Sequence, residues 1–270
     1  TRCTKKVSIL KKIKIIMPII KFEDLLDTGA HFGHVTRKWH PNYEPYILME
    51  KNGVHIINLE ETISSFNKAV NFIQGIVKKN GEVLFVGTKK QAKDIVQQEA
   101  DRCGMFYIVE RWLGGSLTNF TTIKKSIKRL KSLEKEGSRL YENLTKKETQ
   151  MLNREKVKLS DQHRGIKDMR KPPDAVVVVD AQYEDTAIKE ASSMGIPVVA
   201  IVDSNTDPDK VNFPIPANDD SLRTIQLLMG SIADAILDIK GSTKDSKEPE
   251  KVIFDDKSND LENSQLDEEE

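Results

Sequence analysis

Arg111-Trp112-Leu113-Gly114-Gly115-Ser116-Leu117-Thr118-Asn119-Phe120 marks where a strand-rich sequence stops and a long basic helical insertion begins. Immediately upstream, Phe106 to Val109 is short, apolar and partly β-branched, which predicts a buried strand. Immediately downstream, Phe120, Ile123, Ile127 and Leu130 recur at spacings of three and four, which predicts a helix. Gly114 and Gly115 lack a Cβ, so the backbone there can take positive φ or accept a close neighbour as the chain turns out of the sheet.

Upstream of this seam, strands and helices alternate. Val83 to Val86 reads as a strand and Lys90 to Cys103 as a helix ended by Gly104. Before them, Val54 to Leu59 reads as a strand, followed by an amphipathic helix carrying Ile63, Phe66, Val70, Ile73 and Val77 and stopped by Asn80-Gly81. A short helix is predicted from Phe22 to Thr28. A loop containing His31, His34 and His40 follows, and Pro41 and Pro45 are expected to keep the chain extended. Downstream of the insertion, Pro172-Pro173 ends the helical pattern, Ala175 to Val179 is a strand, a helix runs to Met194 with Gly195 as its cap, and Val198 to Val202 is another strand. Phe213-Pro-Ile-Pro reads as an edge strand because proline cannot donate to a ladder. In the last helix Asn218 is the expected N-cap, with Leu222, Ile225, Met229, Ile232 and Ile236 as the buried stripe.

Strand runs that are apolar throughout, separated by amphipathic helices, predict a mostly parallel sheet covered on both faces, a three-layer α/β/α fold. Its core spans 17–119 and 172–240. The insertion at 120–171 is too long for an ordinary connection and reads as a helical hairpin. Its first arm runs from about Thr121 to Glu136, Gly137-Ser138 is the turn, and the capping box Thr145-Lys-Lys-Glu148 starts a second arm through Leu159. Leu152 and Leu159, one heptad apart, are expected to face Ile123, Ile127 and Leu130 in an antiparallel coiled coil.

Lysine plus arginine and aspartate plus glutamate both total 42, but the charges are segregated. Residues 1–20 carry six basic and no acidic side chains, 120–171 carry sixteen basic and seven acidic, and 241–270 carry four basic and eleven acidic. The hairpin therefore points to a polyanion, and the tail reads as a solvated, disordered segment. Cys3 and Cys103 have no partners at metal or redox spacing, which fits a reducing compartment. No apolar run is long enough to span a bilayer. Met17-Pro18 reads as a natural start, so residues 1–16 read as an extension, with a mitochondrial-type targeting segment as the alternative.

The hairpin cations Lys124, Lys125, Lys128, Arg129, Lys131, Arg154, Lys156 and Lys158 are candidates to neutralise phosphates, against the alternative of a merely solvated face. Arg37, Lys38 and Lys90 are further candidates, and so are Arg111 and Asn119 in the seam. Trp39 and Trp112 either belong to the core or stack on bases. Val86-Gly87-Thr88-Lys89-Lys90 joins a strand to a helix, where free amides favour an anion: a phosphate of RNA, or a nucleotide, although no nucleotide fingerprint is present. Its alternative is a structural turn. His34 with Asp203 or Asp219 could hold a divalent ion, but the spacing of His31, His34 and His40 matches no closed zinc site. Asp180 and Asp203 end strands, where open parallel sheets place active sites, or else each caps the loop after it. No nucleophile and base stand at interpretable spacing, so an enzyme acting on a nucleotide or sugar phosphate is the weaker reading.

Several stretches, in order, also carry a family resemblance. They are Gly-Ala-His-Phe-Gly-His at 29–34, Val-His-Ile-Ile-Asn-Leu at 54–59, Leu-Phe-Val-Gly-Thr-Lys at 84–89, Arg-Trp-Leu-Gly-Gly at 111–115 and Leu-Thr-Asn at 117–119. Gly-Ile-Lys-Asp-Met at 165–169, Pro-Asp-Ala at 173–175 and Ile-Pro-Val-Val-Ala-Ile-Val-Asp-Ser-Asn at 196–205 complete the set. From about Pro18 to Lys240 the chain resembles the S-two family of small-subunit ribosomal proteins, in its bacterial or organellar form. The resemblance implies a flavodoxin-like core with a protruding coiled-coil hairpin, seated in the cytoplasm on small-subunit ribosomal RNA beside other small-subunit proteins. It also implies a part in recruiting the large RNA-binding protein S-one, with no catalysis, cofactor, DNA or membrane. The leader and the length of the acidic tail depart from the family pattern.

Overall fold

A computed structural model of the chain describes residues 20–135 and 145–245; the basic leader, the Gly137-Ser138 turn and the acidic tail beyond 245 lie outside the described residues. Five short strands pair in parallel because their side chains are apolar on both faces. They are β4 (Val83–Val86), β5 (Phe106–Ile108), β6 (Ala175–Val179), β7 (Val198–Val202) and β8 (Phe213–Pro216), in the spatial order β5-β4-β6-β7-β8. The second strand of the set thus lies outside the first, which is the flavodoxin-like order. As expected from its prolines, β8 is an edge strand.

Alternate residues of these strands feed two separate cores. Val83, Phe85, Val177, Val179, Val199 and Ile201 pack against α2 (Leu59–Lys78), α3 (Lys93–Cys103) and α7 (Leu222–Asp245). On the other face, Leu84, Val86, Val176, Val178, Ala200 and Val202 pack against α6 (Asp185–Ser193) and the start of α4 (Phe120–Glu134). Each fully buried aliphatic side chain contributes about 1.5–3 kcal/mol, so both faces resist polar substitution and the runs read as continuous rather than alternating.

Residues 29–51 depart from the reading of the sequence, whereas the strand expected from Val54 forms. The histidine loop forms β1 (Phe32–Val35), which joins β2 (Ile47–Lys51) and β3 (Val54–Ile57) in a separate antiparallel sheet of order β1-β3-β2, after α1 (Phe22–Asp27). Pro41 and Pro45 lie in a 3-10 turn, Pro41–Tyr46, rather than in extended chain; Pro41 opens it, where a proline forfeits no hydrogen bond, and Pro45 lies inside it. β1 and β2 are largely solvent-facing, so no alternation of apolar residues announced them. Buried Tyr43 ties this region to the main sheet, its hydroxyl donating to the Val202 carbonyl at 3.0 Å.

At the last helix, the Asn218 side chain accepts from the amides of Asp220 (2.8 Å) and Ser221 (3.3 Å), while the Ser221 hydroxyl accepts from Thr224 N and is the cap. Asn218 therefore shapes the turn before α7 rather than capping it, and the helix runs to Asp245, past the expected end at Lys240. In the insertion, α4 packs along α5 (Lys146–His163). The capping box is formed: Thr145 Oγ1 accepts from Glu148 N, and the Glu148 carboxylate accepts from Thr145 N at 2.9 Å. Ile123, Ile127, Leu130 and Leu133 are buried on α4, whereas Leu152 and Leu159 on α5 are half-buried and Val157 is exposed.

Two glycines fix how the insertion leaves and returns. Gly115 has φ +87°, as the turn out of the sheet requires, whereas Gly114 has no atom near where a Cβ would stand. On the return, a Cβ at Gly165 would lie 2.2 Å from the Tyr107 carbonyl oxygen, so the chain passes against β5 where only hydrogen fits.

Candidate nucleic-acid interface

Glu190 of α6 organises the base of the insertion. Its Oε1 accepts from the Trp112 indole (3.1 Å) and Gly115 N (2.8 Å), and its Oε2 accepts from Leu117 N (3.1 Å) and from Thr118 N and Oγ1. Burial alone would push this carboxyl up, but the amides of Gly115 and Leu117, the indole and the Thr118 amide outweigh it and hold Glu190 below the usual carboxylate range. Trp112 is 9 % exposed and belongs to the core; it is not a stacking platform for bases. Nothing in the spacing 112 to 190 could have revealed this pairing, because it is purely tertiary.

The Gly87-Thr88-Lys89 turn is occupied from within. Glu184 Oε1 accepts from the Thr88 amide at 2.9 Å and from the Thr88 hydroxyl, filling the position where a phosphate oxygen would sit. Lys89 Nζ lies 2.7 Å from Asp219, 2.7 Å from Asp220 and 3.0 Å from Asp180, and its side chain is 13 % exposed. Burial alone would lower the ammonium's pKa, but these carboxylates overcome it and hold Lys89 charged, above the ordinary lysine range. The structural-turn reading therefore describes this segment, and Lys89 is withdrawn from the phosphate-contact candidates.

The strand-end carboxylates gather around that lysine. Asp203 and Asp219 are fully buried, Asp180 nearly so, with Asp180 at φ +66° and its Oδ1 accepting from Gln182 N and Tyr183 N. His34 Nδ1 lies 2.8 Å from Asp203 Oδ2, a hydrogen bond that raises the imidazole pKa against the opposing effect of burial. Of the three loop histidines, His34 alone joins the cluster. His40 Nδ1 accepts from Asn42 N, and the His31 ring lies tilted against Phe32, centroids 4.0 Å apart. Donor atoms of His34, Asp203 and Asp219 lie within 4.8 Å of one another, and Asp219 Oδ2 is buried without a hydrogen bond. One nitrogen and two carboxylates can ligate a divalent ion, while Lys89 already supplies Asp219 with a resident cation.

The expected basic residues divide between two hollows flanking the helical pair. Beside α4, Lys124, Lys128 and Lys131 converge with Lys167 and Arg170 around a groove of about 460 Å³ floored by Ile127 and Met169. Lys131 is paired with Asp168 at 3.0 Å and Lys167 with Glu134, and Lys124 lies over the Phe120 ring, 4.9 Å from its centroid. Beside α5, a cleft of about 620 Å³ is formed with Arg111 of the seam by Gln150, Asn153, Arg154, Val157 and Lys158. Lys125 is exposed outside both, and Arg129 makes a two-pronged ion pair with Glu155 at 3.0 and 3.1 Å, bracing α4 to α5. Asn119 is exposed and turns its carbonyl to Thr121 and Thr122. Arg37 and Lys38 are exposed in a 3-10 turn, Trp39 beside them is 36 % exposed against His55, and Lys90 is exposed by the occupied turn. The reading of the sequence missed Lys167 and Arg170, which come from the return segment, and the amides Gln150 and Asn153, whose four-residue spacing to Arg154 and Val157 was the available signal.

Between α1 and the small antiparallel sheet, Phe22, Leu26 and Leu48 are 47 %, 46 % and 60 % exposed around a groove of about 250 Å³ that also includes His31 and Ile56. Phe32 and Met49 are exposed beside it. Among the described residues no helix is long and apolar enough to cross a membrane.

Comparison with known proteins agrees with this architecture. The family model described as Ribosomal protein S2 matches residues 25–238. The small ribosomal subunit protein uS2 of Chloroherpeton thalassium is 51% identical over 233 residues, which cover 86% of this chain and 93% of that protein. With the phosphate turn filled by its own glutamate, the strand-end lysine held by its own aspartates and the match running through core and insertion alike, the chain belongs to the ribosomal protein S2 family, a structural constituent of the small ribosomal subunit and not an enzyme.

Proposed function

We propose that this chain is anchored to small-subunit ribosomal RNA in the cytoplasm by the helical pair α4 and α5, which serves as an antiparallel coiled-coil arm on an α/β/α core. The observation that carries the reading is the convergence of Lys124, Lys128, Lys131, Lys167 and Arg170 on one groove beside α4, an arrangement suited to a phosphate backbone. Arg37, Lys38, Trp39, Lys90 and Arg111 extend the contact surface around the core. Binding of small-subunit ribosomal RNA should weaken steeply with salt. In the triple variant K124A/K128A/R170A the slope of log K against log salt should flatten by about 2–3, roughly one per lost phosphate contact. An unchanged slope in a folded variant would remove the groove from the RNA interface.

The apolar groove between α1 and the small antiparallel sheet serves a protein partner. It offers no lysine or arginine among its lining residues, so it suits an apolar segment and not RNA, and we assign it to the recruitment of S-one. The double variant F32D/L48D should lower S-one retention on isolated subunits at least tenfold, with the variant chain still sedimenting with the subunit, because a carboxylate in an apolar interface costs several kcal/mol. Retention at the wild-type level would sink the assignment.

A further inference from the structure

The two hollows flanking the helical pair differ in chemistry, and that difference has a functional reading. The groove beside α4 is lined by five cations and Asp168, with Ile127 and Met169 between them, and has no amide side chain in its lining. The cleft beside α5 combines two guanidinium groups, Arg111 and Arg154, with the amides of Gln150 and Asn153, Lys158, and the exposed apolar surface of Val157. Phosphates are held chiefly by cations. Bases, in contrast, are recognised by paired donors and acceptors on amides, by stacking on planar guanidinium groups and by apolar contact.

We propose that the α5 cleft holds an unpaired nucleotide of the ribosomal RNA, flipped out of its helix, while the α4 groove tracks phosphates. The inference rests on the RNA-binding reading above and assigns it a second, chemically distinct contact. Three features of the cleft support it. Its volume of about 620 Å³ falls within the roughly 300–1,000 Å³ typical of small-ligand sites. Its charge suits a nucleotide, because Glu110 at its edge is already paired with Lys93 and with Arg164 (3.4 Å), leaving Arg111, Arg154 and Lys158 against Asp161. Its walls are held in place. α5 is braced to α4 by the Arg129–Glu155 pair, and Arg111 precedes the segment clamped by Glu190. The positions 150, 153, 154, 157 and 158 share one face of α5, so the amides, the guanidinium and the valine meet a ligand together.

The test uses the full chain and an in vitro transcript of the small-subunit ribosomal RNA, with acylation of ribose 2′-hydroxyls as the reporter of unpaired nucleotides. All residues to be changed are exposed and helical, so Gln150→Ala with Asn153→Ala leaves the fold intact. Wild-type protein should protect at least one unpaired nucleotide that Q150A/N153A leaves reactive. The same variant should bind roughly 5- to 100-fold more weakly, the range for losing one stacked base, with its salt slope unchanged. K124A/K128A should do the reverse, flattening the slope and keeping that protection. A wild-type footprint and affinity in Q150A/N153A would overturn the proposal while leaving RNA binding standing. So would an effect of Q150A/N153A confined to retention of a neighbouring protein, which would make the occupant a polypeptide. Failure of wild-type protein to bind the transcript even at low salt would instead overturn the RNA-binding reading itself.

Discussion

Replacing Glu190 with alanine should destabilise the chain by about 2–4 kcal/mol and release the insertion from the core. The carboxylate accepts from an indole, three amides and a hydroxyl, and hydrogen bonds to a charged acceptor each contribute about 1.5–3 kcal/mol. The cost is not the sum of these, because Thr118 is exposed and recovers water when the carboxylate goes. The buried Trp112 Nε1 and the Leu117 amide do not, and they set the expected range. Glu190→Gln should cost less, since one oxygen remains as an acceptor, but the amide it introduces cannot serve the donors that faced Oε2. A pH signature separates the charge from the packing. Glu190's pKa lies below its unfolded value, so its contribution is fully present above about pH 4.3 and is lost as pH falls through the lower folded value. E190Q should therefore lose part of the acid limb of the stability profile. Urea unfolding of wild type, E190A and E190Q between pH 3 and pH 7 measures all of this. A change below about 0.5 kcal/mol in E190A would place Glu190 among ordinary surface residues and refute the clamp.

That clamp also shows where reading the sequence stops. β4, β6 and β7 were legible because burial on both faces leaves no polar residue in Val83–Val86, Ala175–Val179 or Val198–Val202, and the helices between them carry plain 3.6-residue stripes. The capping box at Thr145 was legible because both its halves lie within four residues. β1 and β2 were hidden because an exposed antiparallel pair needs neither alternation nor a continuous apolar run. The basic character of the insertion was visible in composition, but its division into two hollows was not. That depends on which residues of the return segment meet α4 and on where Arg111 lies relative to α5. For the same reason Lys89 read as a phosphate ligand: a lysine after a glycine turn at a strand end has that pattern, and its aspartates are 91, 130 and 131 residues away in the chain. Trp112 beside an arginine looked equally suited to stacking on RNA, and only Glu190 in space decides otherwise.

Removing the Lys89 charge should cost more than any surface substitution, and the cost should depend on pH. Lys89→Met leaves Asp180 and Asp219 buried beside Asp203 without the lysine that pairs with them, and stripping one partner from a buried ion cluster typically costs about 3–5 kcal/mol. The cluster can relieve itself by taking up a proton. In the wild type, burial and the charges of Asp180 and Asp203 push the Asp219 carboxyl up to about 7 against the opposing pull of Lys89. An unfolded aspartate titrates near 3.9, so between about pH 4 and pH 7 the folded chain binds more protons than the unfolded one and stability falls as pH rises. His34 acts in the same sense: its raised pKa gives stability that is complete below about 6.5 and is lost as pH rises through the folded value. The wild type should therefore be more stable at pH 6 than at pH 8 by roughly 1–3 kcal/mol, and Asp219→Asn should remove most of that slope. K89M should lose its full 3–5 kcal/mol at pH 8 and recover part of it at pH 5. Urea midpoints at pH 5, 6, 7 and 8 for the three chains give the answer, and a wild-type midpoint that stays level or rises from pH 6 to pH 8 would refute it. Parallel sheets of this order commonly place their chemistry at this same edge. Here the lysine, the aspartates and the histidine pair with one another across β1, the β4 turn and the ends of β6, β7 and β8. An edge that could bind substrate instead joins the small antiparallel sheet to the large one, and the chain's outward-facing cations are left to α4, α5 and the loops around them.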